Sequence, residues 1–408
     1  MLGVIKNGVN CKQDKSGVGC KISRIETIAS GEFNLDRVGY AELDEKEKAK
    51  YRLKKGDILF SHINSAPHVG KTAIVNVDAD VYHGVNLLLL RPTPAISNDY
   101  LQLYLKLIFE GGYWKKTCKQ SVNQASVNQQ DLKKVPISYP SDLEEQNRIV
   151  ALLDEAFIGL DAAIANTTKN LANASELLDG ALQRMFLDID GCEKVTLQEL
   201  LERGWIVSHL DGNHGSDYPK RDEFVETGVP YISANCIRDD AIDVSMSKFL
   251  TASRAASIRK GVAKDRDVIF AHNATVGPVA MLYTAHEKII LGTSLTYYRC
   301  NEKNIVPEYL AHYMRTPIFK QQYEAVMGQS TRNQVPITKQ REFYHLIPSL
   351  EVQKTIADEL DSLRESAKQL DSIYRNKIVA LNELKQSLLH KAFNGQLTAN
   401  AMTEDVAI

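Results

Sequence analysis

The sequence predicts a mixed α/β protein of two similar globular domains separated by two long antiparallel helices that form a coiled coil, an internal repeat with pseudo-two-fold symmetry. Three observations lead there. The chain repeats its own motifs in order, each copy runs into a proline-free stretch with a heptad seam, and the remainder consists of short strand-like runs broken by Gly, Asn and Pro. A length of 408 residues accommodates two ordinary domains and the elements that join them.

The repeat comes first, because a long period dictates architecture. Gly56-Asp57-Ile58-Leu59-Phe60-Ser61-His62 recurs as Arg266-Asp267-Val268-Ile269-Phe270-Ala271-His272, an offset of about 210 residues. Each copy is followed by an Asn (Asn64, Asn273) and a Val-Gly pair (Val69-Gly70, Val276-Gly277). Further matches keep the order: Gly84 to Leu87 with Gly292 to Leu295, Tyr100 and Tyr104 with Tyr309 and Tyr313, and Gln120-Ser121 with Gln329-Ser330. Last come Pro140 and Leu143-Glu144-Glu145-Gln146 with Ile149, matched by Pro348 and Leu350-Glu351-Val352-Gln353 with Ile356.

Glu144 to Phe186 is rich in Ala, Leu, Glu and Gln, which favour helix throughout. Apolar positions step by four and three through Ile149, Leu153, Ala156, Leu160, Ala163, Thr167, Leu171, Ala174, Leu178, Ala181 and Met185, with one stutter near Thr167. Glu351 to Phe393 gives Ile356, Leu360, Leu363, Ala367, Leu370, Tyr374, Ile378, Leu381, Lys385, Leu388 and Ala392, with the stutter at the matching place. Only Lys385 breaks this seam. Helices of this size span roughly 60 to 65 Å at about 1.5 Å per residue, longer than a globular core requires, which favours pairing with each other over separate packing on each domain.

Strand-like runs fall at Asp57 to Phe60, Thr72 to Val75, Val85 to Leu90, Val229 to Ile232, Val268 to Phe270 and Ser294 to Tyr298. The composition, 44% hydrophobic and 25% charged, is that of a globular protein, and no apolar run is long enough for a membrane span. The N-terminal stretch lacks an apolar region behind basic residues, so a secretory signal is not expected and a cytoplasmic location is. Cys11, Cys20, Cys118, Cys192, Cys236 and Cys300 form no Cys-x-x-Cys pair, so buried free thiols are expected rather than a zinc site or disulfides. A formal charge of -2 does not suggest a polyanion partner, so any nucleic-acid surface has to be local.

Each domain carries a polar, basic segment ahead of its long helix. In the first it holds Trp114, Lys115, Lys116, Lys119, Gln120, Ser121, Asn123, Gln124, Ser126, Asn128 to Gln130, Lys133 and Lys134. In the second it holds Arg315, Lys320 to Gln322, Gln329, Ser330, Thr331, Arg332, Asn333, Gln334, Lys339 and Arg341. Lys and Arg suit phosphates, while Asn, Gln, Ser and Arg match base edges. A solvated loop explains one such segment; recurrence at equivalent places favours DNA contact. A second candidate is the loop after each Phe strand, with His62, Asn64 and Lys71 in one copy and His272, Asn273 and Thr275 in the other, where a structural histidine competes evenly. A third is the loop holding Asn213, His214, Ser216 and Lys220, whose counterpart lies around Lys6 to Asn10 and which a simple turn also explains.

No catalytic constellation is visible. Asn-Pro-Pro-[Tyr/Phe], the phosphate-loop motif and the dinucleotide fingerprint are absent, and no metal site is expected. Glu383-Leu384-Lys385 is no nuclease site, because residues two apart on a helix do not share a face.

The repeat layout, the two Leu-Glu-x-Gln motifs, Gly56-Asp57-Ile58-Leu59-Phe60, Gly228-Val229-Pro230-Tyr231-Ile232 and Asp211-Gly212-Asn213-His214-Gly215 resemble type I restriction–modification specificity subunits over nearly the whole chain. The resemblance implies target-recognition domains at 1–143 and 188–350, spacer helices at 144–187 and 351–395, and a tail at 396–408. It implies further that each domain reads one half of a bipartite double-stranded DNA site and that helix length sets the spacer between them. Two methyltransferase subunits, carrying S-adenosylmethionine, and restriction subunits, carrying ATP and Mg, are the implied partners; this chain binds no cofactor and catalyses nothing.

Two departures stand out. The first domain lacks a counterpart of Leu197-Gln198-Glu199-Leu200-Leu201, which leaves it either incomplete or completed by the C-terminal tail. His62 and His272 stand where the resemblance leads one to expect arginine. The competing reading of the chain is an adaptor whose paired helices join two protein-binding domains.

Overall fold

The computed structural model describes residues 2–121, 124–187, 189–212, 218–328 and 333–397. It divides into two units, Met1–Thr168 with Arg375–Ile408, and Lys169–Tyr374. Each unit thus holds one domain and part of each long helix.

In the first unit, strands Leu2–Asn7, Leu87–Pro92, Ile58–Ser61 and Thr72–Ile74 form an antiparallel sheet in that order. Its central strands are apolar at nearly every position because both faces are covered. Ile58, Phe60, Leu88 and Leu90 pack with Tyr100, Leu101 and Leu105 of helix Asn98–Glu110, whereas Leu59, Leu87 and Leu89 face Ile28 and Phe33. Gly39–Ala41, Cys20–Ile22 and Val81–Tyr82 make a second small sheet.

The second unit repeats the plan. Ile206–Asp211, Leu295–Cys300, Val268–Ala271 and Val279–Met281 form the matching sheet, which a hairpin of Ala241–Ile242 and Ile237–Arg238 extends at the Val279–Met281 edge. Helices Pro307–Met314 and Pro317–Met327 follow, each with proline in its first turn, where the missing N–H is no loss. Strand Glu193–Thr196 pairs with Tyr344–Ile347, and Leu197 and Leu200 of the next helix are buried.

The repeated motifs keep the same hydrogen bonds. Asp57 receives Arg91 at 2.7 and 2.8 Å, and Asp267 receives Arg299 at 2.9 and 2.7 Å. Tyr100 and Tyr104 donate to the Ser138 and Pro136 carbonyls; Tyr309 and Tyr313 donate to those of Leu346 and Tyr344. Gln146 and Gln353 explain the Leu-Glu-x-Gln motif: fully buried, each accepts one backbone N–H (Ser97, Val306) and donates to two carbonyls (Ala95 and Pro140; Asn304 and Pro348). Each glutamine thereby ties the start of a long helix to its own domain.

The copies differ inside. At five matched positions the first domain has Ile5, Leu88, Leu90, Leu132 and Ile137, all in its apolar cluster. The second has His209, Thr296, Tyr298, Gln340 and His345, all buried. The Gln340 Oε1 meets His209 Nε2, Thr296 Oγ1 and Tyr298 OH, each at 3.1 Å. Burial holds the His209 imidazole down at about 4 and that of His345 at about 3, so both are neutral at pH 7.

The long helices run Leu143–Leu187 and Leu350–Phe393. In the first unit the start of one meets the end of the other, Ile149, Leu153 and Phe157 clustering with Leu388, Leu389 and Ala392. In the second unit Leu182, Met185 and Phe186 cluster with Ile356, Ala357 and Leu360, so the pairing is antiparallel. Ile149, Leu153, Ile356 and Leu360 are buried; Leu160, Leu171, Leu178, Tyr374, Ile378, Leu381 and Leu388 are half-buried. Leu363 and Leu370 remain 42% and 41% exposed. Lys385 does not interrupt the pairing, since its amine bonds both Asp161 oxygens at 2.8 and 2.9 Å and lies over the Phe157 ring. At the stutter Thr167 is buried and its hydroxyl donates back to the Ala163 carbonyl.

Phe393 packs on Tyr100 and Tyr104 as Phe186 packs on Tyr309 and Tyr313. Phe393 and Leu397 join the first domain's core; the tail beyond 397 lies outside the described residues. All six cysteines are free, but only Cys236 is buried, the other five being half-buried, which corrects the expectation of buried thiols. Among the described residues no helix is long and apolar enough to cross a membrane.

Candidate nucleic-acid interface

The loop after each Phe strand and the polar segment ahead of each long helix lie about 60 residues apart in sequence, and the fold joins them in both domains. In the first, Ile63–Asn64, Gln124–Ser126 and Lys119–Ser121 form one three-stranded sheet, Asn64 pairing with Ala125 and Ala125 with Gln120. The Val127 N–H closes it on the His62 carbonyl at 2.9 Å. In the second, Asn273 bridges Gln334, the Ala274 N–H donates to the Asn333 carbonyl at 2.9 Å, and the Val335 N–H donates to the His272 carbonyl at 2.8 Å. Val127 and Val335 thus do the same work in the two copies.

The first domain presents a hairpin whose outer strand is exposed along its length and whose inner strand is anchored by the buried Ala125. Lys119, Gln120, Ser121 and Gln124 are all exposed, as are Lys115 and Lys116 on the preceding short helix Tyr113–Thr117. Trp114 supplies the anchor. It is buried edge-on to Phe60, and Gly70, at φ +93, passes so close to its ring that a Cβ there would lie 2.1 Å away. Asn128 caps helix Gln129–Lys133 by accepting the Asp131 N–H, and the Asp131 carboxylate, the segment's acid, accepts the Asn128 N–H in return and so faces the backbone. A surface of lysines flanked by amide side chains suits phosphate attraction together with base-edge reading.

Several expected contacts have other roles. His272 is only 1% exposed, and its Nδ1 lies 3.0 Å from the Val335 carbonyl, so the ring pins loop to segment instead of facing a ligand. His62 is half-buried and burial lowers its pKa, which leaves it neutral and unsuited to charge-pairing with phosphate. Asn64 ties the loop internally, its amide donating to Ser61 Oγ at 3.1 Å. The Lys71 amine is committed to the Ala29 carbonyl at 2.7 Å. Lys320 faces Glu324 one turn on at 3.6 Å, and Lys339 pairs with Glu342. Arg315 points inward, away from any ligand surface. Asn273 is half-buried, while Thr275, Asn333 and Lys220 are exposed. Asn123, Asn213, His214, Ser216, Gln329, Ser330, Thr331 and Arg332 lie outside the described residues.

Sequence reasoning missed the set that joins the second domain to its helix: His312 with Asp361, and Arg315 and Arg364 with Asp240. An Asp-Asp pair at 239–240 between two short apolar runs was the available signal for a hairpin turn there.

A family model described as Type I restriction modification DNA specificity domain matches residues 12–173 and 193–377. The chain is similar, at 29% identity over 97% of its length and 92% of the relative's, to a putative type I restriction enzyme MjaX specificity subunit from Methanocaldococcus jannaschii. It is 23% identical, over 46% of its length and 40% of the relative's, to the EcoKI specificity subunit of Escherichia coli K12. In fold it is similar to a chain solved for the structural basis underlying complex assembly and conformational transition of the type I R-M system, with TM-score 0.73, 17% identity and 96% of each chain covered. The HsdS subunit from Thermoanaerobacter tengcongensis follows at TM-score 0.61 and 17% identity, covering 96% of this chain and 95% of that one. With the family model matched over both repeats, the chain belongs to the type I restriction–modification specificity subunits.

Proposed function

We propose that this specificity subunit reads a bipartite double-stranded DNA target, one half-site through each domain, and places two methyltransferase subunits and the restriction subunits upon it. The observation that carries the reading is the joining of loop and polar segment into one platform in each domain, made twice by the same backbone bonds. In the first domain the platform includes a β-hairpin, Lys119–Ser121 with Gln124–Ser126, an element narrow enough to enter a major groove about 12 Å wide. The chain itself performs no reaction; S-adenosylmethionine, ATP and Mg belong to its partners.

Docking of a methyltransferase subunit is supported by the second unit's helix pair. Leu177, Leu363 and Leu370 line a groove of about 440 Å³ between the helices, floored by Ala174, Ala181, Ser366 and Ala367. Leu177 is 74% and Ile373 57% exposed, more apolar surface than a helix facing only water carries.

The test is to co-express the chain with its methyltransferase subunit and map modified adenines across the host genome. A single motif of two half-sites around a constant spacer is expected, and exchanging either domain changes one half only. A complex that forms with an active methyltransferase yet methylates no such motif refutes the reading. The adaptor alternative predicts that reversing the charges of Lys115, Lys116 and Lys119 leaves function intact.

A further inference from the structure

We propose that the hairpin around Asp239-Asp240 clamps the second domain onto its spacer helix, and that Asp240 and Arg364 are positioning residues that set the spacing at which the half-sites are read. This rests on the DNA-reading function proposed above. Asp239 and Asp240 both lie in left-handed backbone, at φ 49 and 62. Two such residues in succession make the tight hairpin turn for which Asn-Gly or Asp-Gly is the usual solution. Glycine would suit the second position best, so an aspartate there needs a reason in its side chain.

The reason is in its contacts. The Asp240 carboxylate bonds Arg364 on the second long helix and lies 3.6 Å from Arg315 Nε. The Asp240 carbonyl accepts from Arg315 Nη2 at 3.1 Å, and Arg315, 11% exposed, also reaches the Val279 carbonyl on the sheet edge at 3.3 Å. One helical turn from Arg364, Asp361 holds His312 Nε2 at 2.8 Å. Hairpin, sheet edge, helix Pro307–Met314 and long helix are therefore tied by one charge network. Sliding the domain along the helix would take Arg364, its side chain only 19% exposed, away from the Asp240 carboxylate and His312 away from Asp361, a costly state.

Among the described residues the first domain shows no such clamp. By the matched tyrosines and glutamines, Leu103, Lys106, Asp154 and Phe157 take the places of His312, Arg315, Asp361 and Arg364. Among the described residues no hairpin extends its sheet beyond Thr72–Ile74, and the contact there is Lys106 over the Phe157 ring. The second domain is thus held to its helix by an Asp-Arg and an Asp-His pair that the matching positions of the first domain lack. A displacement of about 3.4 Å along DNA is one whole base pair, and with it a turn of about 34°, so the clamp governs spacing directly.

The experiment uses the complex with the methyltransferase subunit and a DNA library holding both half-sites around spacers of every length near the native one. The wild type is expected to methylate one spacer length about tenfold or more above its neighbours. Asp240→Gly, which keeps the turn in its preferred residue, and Arg364→Ala are expected to erode that preference several-fold while leaving the half-site bases unchanged; Arg364→Lys is expected to retain it. Undiminished spacer preference in both variants overturns the clamp, and so does a joint loss of base and spacer preference, which marks a general folding defect. A wild-type complex that shows no bipartite motif refutes the reading function itself, and the clamp with it.

Discussion

Arg266 holds left-handed backbone, φ 66, at the place where the first domain has Gly56 at φ 89. For a residue with a Cβ that conformation costs roughly 1–2 kcal/mol, and Arg266 offsets it by pairing with Glu302 at 3.0 Å and Glu308 at 2.7 Å. Because these pairs are partly exposed, each contributes about 1 kcal/mol or less. Arg266→Gly is accordingly expected to leave stability within about 1 kcal/mol of wild type, whereas Arg266→Ala keeps the strain, loses the pairs and is expected to be the less stable variant by about 1 kcal/mol in urea unfolding. His209 and His345 give the second domain a pH dependence. Their folded pKa values, about 4 and about 3, lie below the ordinary 6.5, so the unfolded chain binds their protons first. The stability they represent is present above pH 6.5 and is lost as pH falls through about 4 and then 3. Near pH 5 the two together steepen the loss by up to about 2.7 kcal/mol per pH unit. Giving His345 the residue its counterpart has, His345→Ile, is expected to remove about half of that slope, measured by hydrogen exchange of the second domain from pH 7 to 4.5. An unchanged slope refutes the assignment.

Among elements, the helix entries show how much packing rests on one side chain. Gln353→Ala leaves the Val306 N–H and two carbonyls without their buried partner and is expected to cost about 2–4 kcal/mol. Gln146→Ala is expected to do likewise in the first unit, and comparable loss in both variants, read from thermal unfolding, is the check. The same glutamines were visible in the sequence as half of a repeated motif, although only the structure shows why a glutamine is needed. Long helices and fully buried strands were legible for a physical reason: a seam repeated over eleven positions, or an apolar run covered on two faces, writes its period into the chain. The expected strand at Val85 to Leu90 begins at Leu87, the shift coming from the turn made by Gly84, against which Gly8 packs without room for a Cβ. At the Asp239-Asp240 hairpin the turn residues were the one signal in the sequence, because strands of two residues carry no period. The joining of His62 to Val127 and of His272 to Val335 depends on a backbone ladder over distant sequence, which residue chemistry does not encode. That is why the sequence leaves His272 evenly between a structural and a ligand role, while the fold gives its ring a bond to the Val335 carbonyl.

At the scale of the whole molecule, a spacer function makes helix length a measurable variable. Removing one heptad from both helices preserves the seam phase and shortens each by about 10.5 Å, which corresponds to roughly three base pairs. The methylated motif is expected to keep both half-sites and lose about that much spacer; an unchanged spacer in a folded, active complex refutes the ruler role. Removal from one helix only puts Lys385 out of reach of Asp161 and is expected to destabilise the pair. The unlike interiors of the two domains bear on inheritance as well. A genetic crossover inside the domains would set Gln340 and His209 against Leu88 and Leu90, leaving polar atoms buried without partners. A crossover within the long helices keeps each interior with its own surface. A chimaera of the two domains joined inside a domain is therefore expected to fail to fold, and one joined within the helices to fold with each interior intact.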